Sequence, residues 1–177
     1  MSVAEQTEVA AAVVTTPAED AFCSIERTVG IIGDKWSLLI LREVLTLDVH
    51  RFSDLRQRLG VATNMLANRL ETLTRSGVLE RLDYQEPGER ARKAYYATPA
   101  GADLLLLLWA LGQWGDDHIP PVGGVAQTRI DATRGTPVRV VFAPEDSGVV
   151  PAQEVSFVYT AAGEQHVREA AEAAATS

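Results

Sequence analysis

The chain has 177 residues, 46% of them hydrophobic, enough to build one ordinary domain core with an appendage. Its formal net charge of −8 argues at first against a nucleic-acid partner, and its single cysteine excludes an intrachain disulfide. The apolar run from Leu104 ends near Leu111, about half of the ~20 residues a bilayer span needs, and no basic region followed by an apolar run opens the chain, so the expectation is a soluble, cytoplasmic protein without a membrane partner.

The net charge is unevenly spread, and this weakens the case against nucleic acid. From Cys23 to Pro99 twelve Lys and Arg stand against ten Asp and Glu, and from Arg51 to Lys93 nine stand against six. The acidity belongs to the flanking segments. The basic bias in the middle is mild, so attraction to phosphate has to come from placement rather than bulk charge.

In chain order, residues 1–22 read as a disordered leader rich in Ala, Val, Thr and Glu. A short helix is expected from Cys23 to Ile31, closing at Gly30 or Gly33. Asp34 is placed to cap the next helix, Lys35 to Leu47, whose expected core face is Trp36, Leu39, Ile40, Val44 and Leu47. Arg51 to Leu59 makes a third helix, with Phe52, Leu55 and Leu59 inward and Arg51 or Ser53 at its start. Gly60 turns the chain into a fourth.

This fourth helix, 63–76, carries Leu66, Leu70 and Leu73 at i, i+4 and i+7, with Thr63 as the expected N-cap and Gly77 just past the end. At about 3.6 residues per turn, Asn64, Asn68, Glu71 and Arg75 then point outward with Thr72 on their flank. Amides, a hydroxyl and a guanidinium on a short exposed helix can read base edges in a DNA major groove. An ordinary amphipathic surface helix has the same pattern. Two helices joined by a Gly-containing turn, the second with its polar groups outward, make a helix-turn-helix.

After Gly77 the period becomes alternating. Val78 to Tyr84 and Arg92 to Ala97 are expected strands around the turn Gln85 to Arg90. Such a hairpin after a recognition helix is a wing, and Arg90, Arg92 and Lys93 could reach phosphate or the minor groove. A solvated charged turn is the plainer account. Thr98-Pro99 opens a last helix to about Trp114 that is apolar on nearly every side from Leu104 to Trp109. A small domain cannot wrap such a helix completely, so a second subunit is expected over Leu104, Leu107, Leu108 and Leu111. The alternative is a helix buried wholly within its own chain. Pro120 to Gly124 is a linker. Beyond it, in an extension of residues 122–177, Pro137–Phe142 and Val155–Thr160 are expected strands of a small β appendage, and the chain from Gly163 onward is expected to be a frayed helix or disordered tail.

Cys23-Ser24-Ile25, then Gly33-Asp34-Lys35-Trp36, then RFSDLRQRLGVATNMLANRLETLTRSGVLER, and finally YxxTPAGxxL from Tyr95 to Leu104, together resemble the HxlR family of winged helix-turn-helix regulators. The resemblance covers roughly Cys23 to Pro120, so 23–121 is taken as the DNA-binding and dimerisation domain. It implies a mainly α fold with a β wing (α+β), a MarR-like homodimer on double-stranded DNA, and a prokaryotic transcription factor, often a repressor. Where the family often has Cys-Pro and Gly-Gly-Lys-Trp, this chain has Cys23-Ser24 and Gly33-Asp34-Lys35-Trp36. Some relatives bind metal through cysteines in a C-terminal extension; this extension has none, and His50, His118 and His166 lack ligand spacing, so no metal or cofactor is expected.

The DNA-contacting set implied is Arg51, Ser53, Thr63, Asn64, Asn68, Arg69, Thr72, Arg75, Arg90, Arg92 and Lys93. Asn64 and Asn68 suit adenine edges, Thr63 suits phosphate, and Arg51 and Ser53 suit the DNA backbone. Arg69 and Arg75 can reach phosphate or guanine, although Arg69 can pair instead with Glu71 or an acidic neighbour inside the fold. Cys23 stands where some members carry a thiol that senses electrophiles or oxidants, with Arg27 four residues on to supply positive charge; a buried small hydrophobe is the alternative. A small-molecule effector at the last helix, lined by Trp109 and Trp114, is the other regulatory option. No nucleophile–base pair, phosphate loop or metal cluster supports an enzyme.

Overall fold

The computed structural model of the chain describes residues 21–85, 92–120, 122, 124–125, 128–143, 164–165, 168–169 and 172. Arg90, His166, the leader to Asp20 and the second expected strand, Val155–Thr160, lie outside the described residues. The chain divides into two compact units, Met1–Leu108 and Trp109–Ser177.

The first unit runs α1 (Ser24–Ile32), α2 (Lys35–Thr46), α3 (Phe52–Leu59), α4 (Thr63–Arg75), β1 (Leu79–Tyr84), β2 (Arg92–Ala97) and the start of α5 (Pro99–His118). Strands β1 and β2 pair antiparallel from Leu79 opposite Ala97 to Tyr84 opposite Arg92. The segment before α3 adds a short rung: the Tyr95 amide donates to the His50 carbonyl at 2.9 Å, and Arg51 bridges Ala94. The wing root is thereby tied to the entry of α3.

In α3 and α4 the expected positions are in the core: Leu55, Leu66, Leu70 and Leu73 are fully buried, beside Ile40, Leu41, Val44, Val78 and Leu79. Burial of each such side chain stabilises by about 1.5–3 kcal/mol. The face of α2 is displaced from the expected one. Leu47 is exposed and Trp36 and Leu39 are half-buried, while Ser37, Leu41 and Glu43 are buried. The cause is position: α2 packs against α1, α3, α4 and β2, so its buried face is wider than one apolar stripe. Asp34 caps it, accepting from the amides of Trp36 and Ser37 at 2.9 and 3.2 Å. The expected cap of α4 is corrected too. Ala62 occupies the N-cap and Thr63 is the first helical residue, its hydroxyl accepting from Arg56 Nη1 at 3.1 Å.

Three glycines explain the turns. Gly60 and Gly77 adopt left-handed backbone, φ 62° and 73°, at the ends of α3 and α4. Gly101 serves a close approach. Thr98 Oγ1 donates to the Gly77 carbonyl at 2.6 Å and accepts from the Gly101 amide at 3.1 Å, capping α5 onto the turn that leaves α4. A Cβ at Gly101 would stand 2.0 Å from the Val78 carbonyl oxygen. Gly101→Ala is therefore expected to destabilise the unit by about 3 kcal/mol, since backbone cannot rotate away. Gly112→Ala, where the Cβ meets only the end of the Arg129 side chain at 3.2 Å, is the matched control and should be near neutral in denaturant melts.

In the second unit, Gln113 pairs both backbone groups of Val140, donating to its carbonyl at 3.0 Å and accepting from its amide at 2.8 Å. Arg129 pairs with Asp116 at 2.8 Å, and Arg139 with Asp117. The hydrogen bond from Arg139 holds the Asp117 carboxyl below its ordinary value, and Asp117 raises Arg139 in turn. The expected strand Pro137–Phe142 is reduced to bridge residues, Pro137 pairing with Ile130 across a turn closed by Asp131.

Candidate nucleic-acid interface

Burial of Leu66, Leu70 and Leu73 fixes the rotation of α4, and the opposite face is exposed. On it lie Asn64, Asn68, Glu71 and Arg75, with Thr72 half-buried at the edge. Asn64 Oδ1 accepts from the Met65 amide at 2.9 Å, so its carbonyl is engaged at the helix start while its NH2 donors point away from that bond. Thr72 Oγ1 donates back to the Asn68 carbonyl at 3.0 Å, the usual retreat of a mid-helix threonine. The side chain of Asn68 is exposed.

The other expected contacts are distributed around this helix. At the start of α3, Arg51 lies over the Tyr84 ring at 4.8 Å, and Ser53 donates to Asp54 at 2.8 Å. In the wing, Lys93 pairs with Asp83, and Arg92 is exposed on β2. Arg69 stands apart from the exposed face: its Nε lies 3.1 Å from Asp34 Oδ1 at the start of α2. Periodicity misses Arg56, exposed in the last turn of α3 and bonded to Thr63. It also misses the 3.9 Å pair between Arg81 of β1 and Glu71. No spacing signal joins residues on different elements.

Behind the interface sits a buried charge. Glu43 is 1% exposed, 2.5 Å from Arg58 Nε of α3 and paired also with Arg42. Burial pushes its carboxyl up, but the hydrogen bonds and charges of Arg58 and Arg42 outweigh that and hold it below its ordinary value. This cluster ties α3 to α2.

Two regulatory expectations can be placed. Cys23 is exposed at the N-cap of α1, and Arg27 directs its guanidinium to the carbonyls of Ala21 and Phe22 and to Ser24 Oγ. A cavity of about 830 Å³ opens at the wing root, lined by Asp48, His50, Arg51, Asp54, Tyr84 and Tyr96 among others. Among the described residues no cluster of three or more His, Cys, Asp or Glu could hold a metal, and no helix is long and apolar enough to cross a membrane.

Comparison with known proteins agrees with this geometry. A family model described as HxlR-like helix-turn-helix matches residues 31–122. An uncharacterized HTH-type transcriptional regulator of Mycobacterium tuberculosis is 38% identical over 97 residues, 55% of this chain and 60% of the relative; the chain thus matches about 60% of the length of its mycobacterial relatives. The HTH-type transcriptional regulator YtfH of Escherichia coli is 33% identical over 108 residues, 60% of this chain and 83% of YtfH. Among solved structures, the candidate transcription factor PA1607 superposes with a TM-score of 0.71 at 29% identity, covering 82% of this chain and all of that one. A candidate transcription factor of Pseudomonas aeruginosa, PA1374, superposes at 0.59 and 32% identity, covering 83% of this chain and 99% of that one.

Proposed function

Since the chain belongs to the HxlR-like helix-turn-helix family, we propose that it is a transcriptional repressor that binds double-stranded DNA sequence-specifically as a homodimer. Helix α4 enters the major groove and the wing lies along flanking backbone. The observation that carries this reading is the clean division of α4: Leu66, Leu70 and Leu73 are fully buried, while Asn64, Asn68 and Arg75 share the exposed face. Base-edge readers on a helix held rigidly from behind are what major-groove recognition requires.

The homodimer is supported by α5. Leu104 and Leu108 pack on the core, but Leu107 is 38% and Leu111 48% exposed, with Leu106 and Trp114 exposed as well. Leucines left in water along one helix mark an association surface. Leu107→Glu with Leu111→Glu should leave the fold intact, give a monomer in sedimentation, and weaken operator binding at least about 100-fold through lost bivalency.

The test of the whole reading is selection of duplexes from a random pool by the purified chain. One recurring sequence with two-fold symmetry is expected, its half-sites about 34 Å apart along the helix axis or a multiple of that. A monomer that prefers no duplex at modest ionic strength would refute it.

A further inference from the structure

One cation on α4 is not offered outward. Arg69 lies on the flank between the buried leucines and the exposed face, and its Nε is shut off from solvent. The charge it faces is Asp34, 3.1 Å away, and the contact is an ion pair rather than an aligned hydrogen bond. Both side chains are only 33% exposed. The same Asp34 oxygen caps α2 through the amides of Trp36 and Ser37. That cap holds the carboxylate in place whether or not Arg69 is present.

We propose that Asp34 withholds Arg69 from DNA, so that α4 reads sequence without adding a further sequence-blind charge. The inference rests on the reading that α4 faces DNA. Its physical basis is that each phosphate neutralised by a cation strengthens binding to every duplex alike. Base-edge contacts and duplex shape, not phosphate charge, separate the operator from the rest. A neutralised guanidinium on the reading helix therefore widens the gap between specific and non-specific binding. Asp34 is in this way a positioning residue for specificity, acting through Arg69.

The experiment is a double-mutant cycle on the full chain, measuring affinity for the selected operator and for a random duplex across a salt series. Asp34→Asn keeps the cap, because Asn caps as well as Asp, and circular dichroism checks that the helix content is retained. Random-duplex affinity should rise about three- to tenfold, and the slope of log K against log salt should steepen by about 0.9 per protomer. The operator-to-random ratio should narrow. In the presence of Arg69→Met, Asp34→Asn should change none of these. Arg69→Met alone should leave the wild-type slope as it is.

Four results overturn the proposal while leaving DNA binding by α4 intact: no change with Asp34→Asn, the same change when Arg69→Met is also present, a flatter slope with Arg69→Met alone, or loss of helix content with Asp34→Asn. If the wild-type chain binds no duplex, the parent reading fails and this one goes with it.

Discussion

Replacing Asn64 and Asn68 together by Ala is expected to reduce the operator-to-random affinity ratio at least about 100-fold, since each bidentate amide contact discriminates by about 1–3 kcal/mol and a dimer presents two of each. Neither residue is buried, so thermal stability should change little. No charge is removed, so the salt slope for random duplex should not move. The two positions should also differ. Asn64 already accepts the Met65 amide at 2.9 Å and must release it to use its carbonyl on a base, whereas the side chain of Asn68 is not so engaged. Asn68→Ala alone should therefore lose more discrimination than Asn64→Ala. Titration of both duplexes with the single and double variants decides this, and an undiminished ratio would remove the exposed face of α4 from recognition.

Removing the carboxylate of Glu43 should destabilise the fold strongly. Glu43→Ala leaves Arg58 and Arg42 beside an empty buried site, and truncating one partner of such a cluster destabilises by about 3–5 kcal/mol. Both arginines are about half exposed, which lets water recover part of the loss, so the lower end of that range is expected. The pH dependence has a definite sign. The carboxyl is held below its ordinary value of 4.5 in the folded state. Its contribution is therefore complete above that value and is lost as pH falls through the depressed one. Denaturant melts from pH 7 to pH 3 should show wild type losing stability at the acid end more steeply than Glu43→Gln. Parallel curves would show that Glu43 does not govern acid stability.

Both predictions concern side chains that the sequence treats very differently. The face bearing Asn64 and Asn68 is legible because Leu66, Leu70 and Leu73 recur at helix spacing and fix the rotation of everything between them. Glu43 is not legible. An acid beside an apolar stripe reads as solvent-facing, and only the packing of α3 across α2 brings Arg58, fifteen residues away, to cover it. Leu47 departs from expectation in the opposite sense: it continues the stripe of α2 but lies past the helix end, where it is left 37% exposed. Thr98 is legible as a cap, but its bond to the Gly77 carbonyl joins residues 21 positions apart and requires the fold. The division of α4 between Ala62 and Thr63 is hidden from the sequence because a hydroxyl caps well in general, whereas here Arg56 engages it.

The junction of Thr98 and Gly101 with the end of α4 has a mechanical consequence. Val78 offers its carbonyl to bare Cα, and a single hydroxyl spans the remaining gap. The side chain that bridges it, Thr98, is held at its hydroxyl by the Gly77 carbonyl and the Gly101 amide. A tilt imposed on α5 is therefore carried into the turn behind α4, so the two helices are geared together through the carbonyls of Gly77 and Val78.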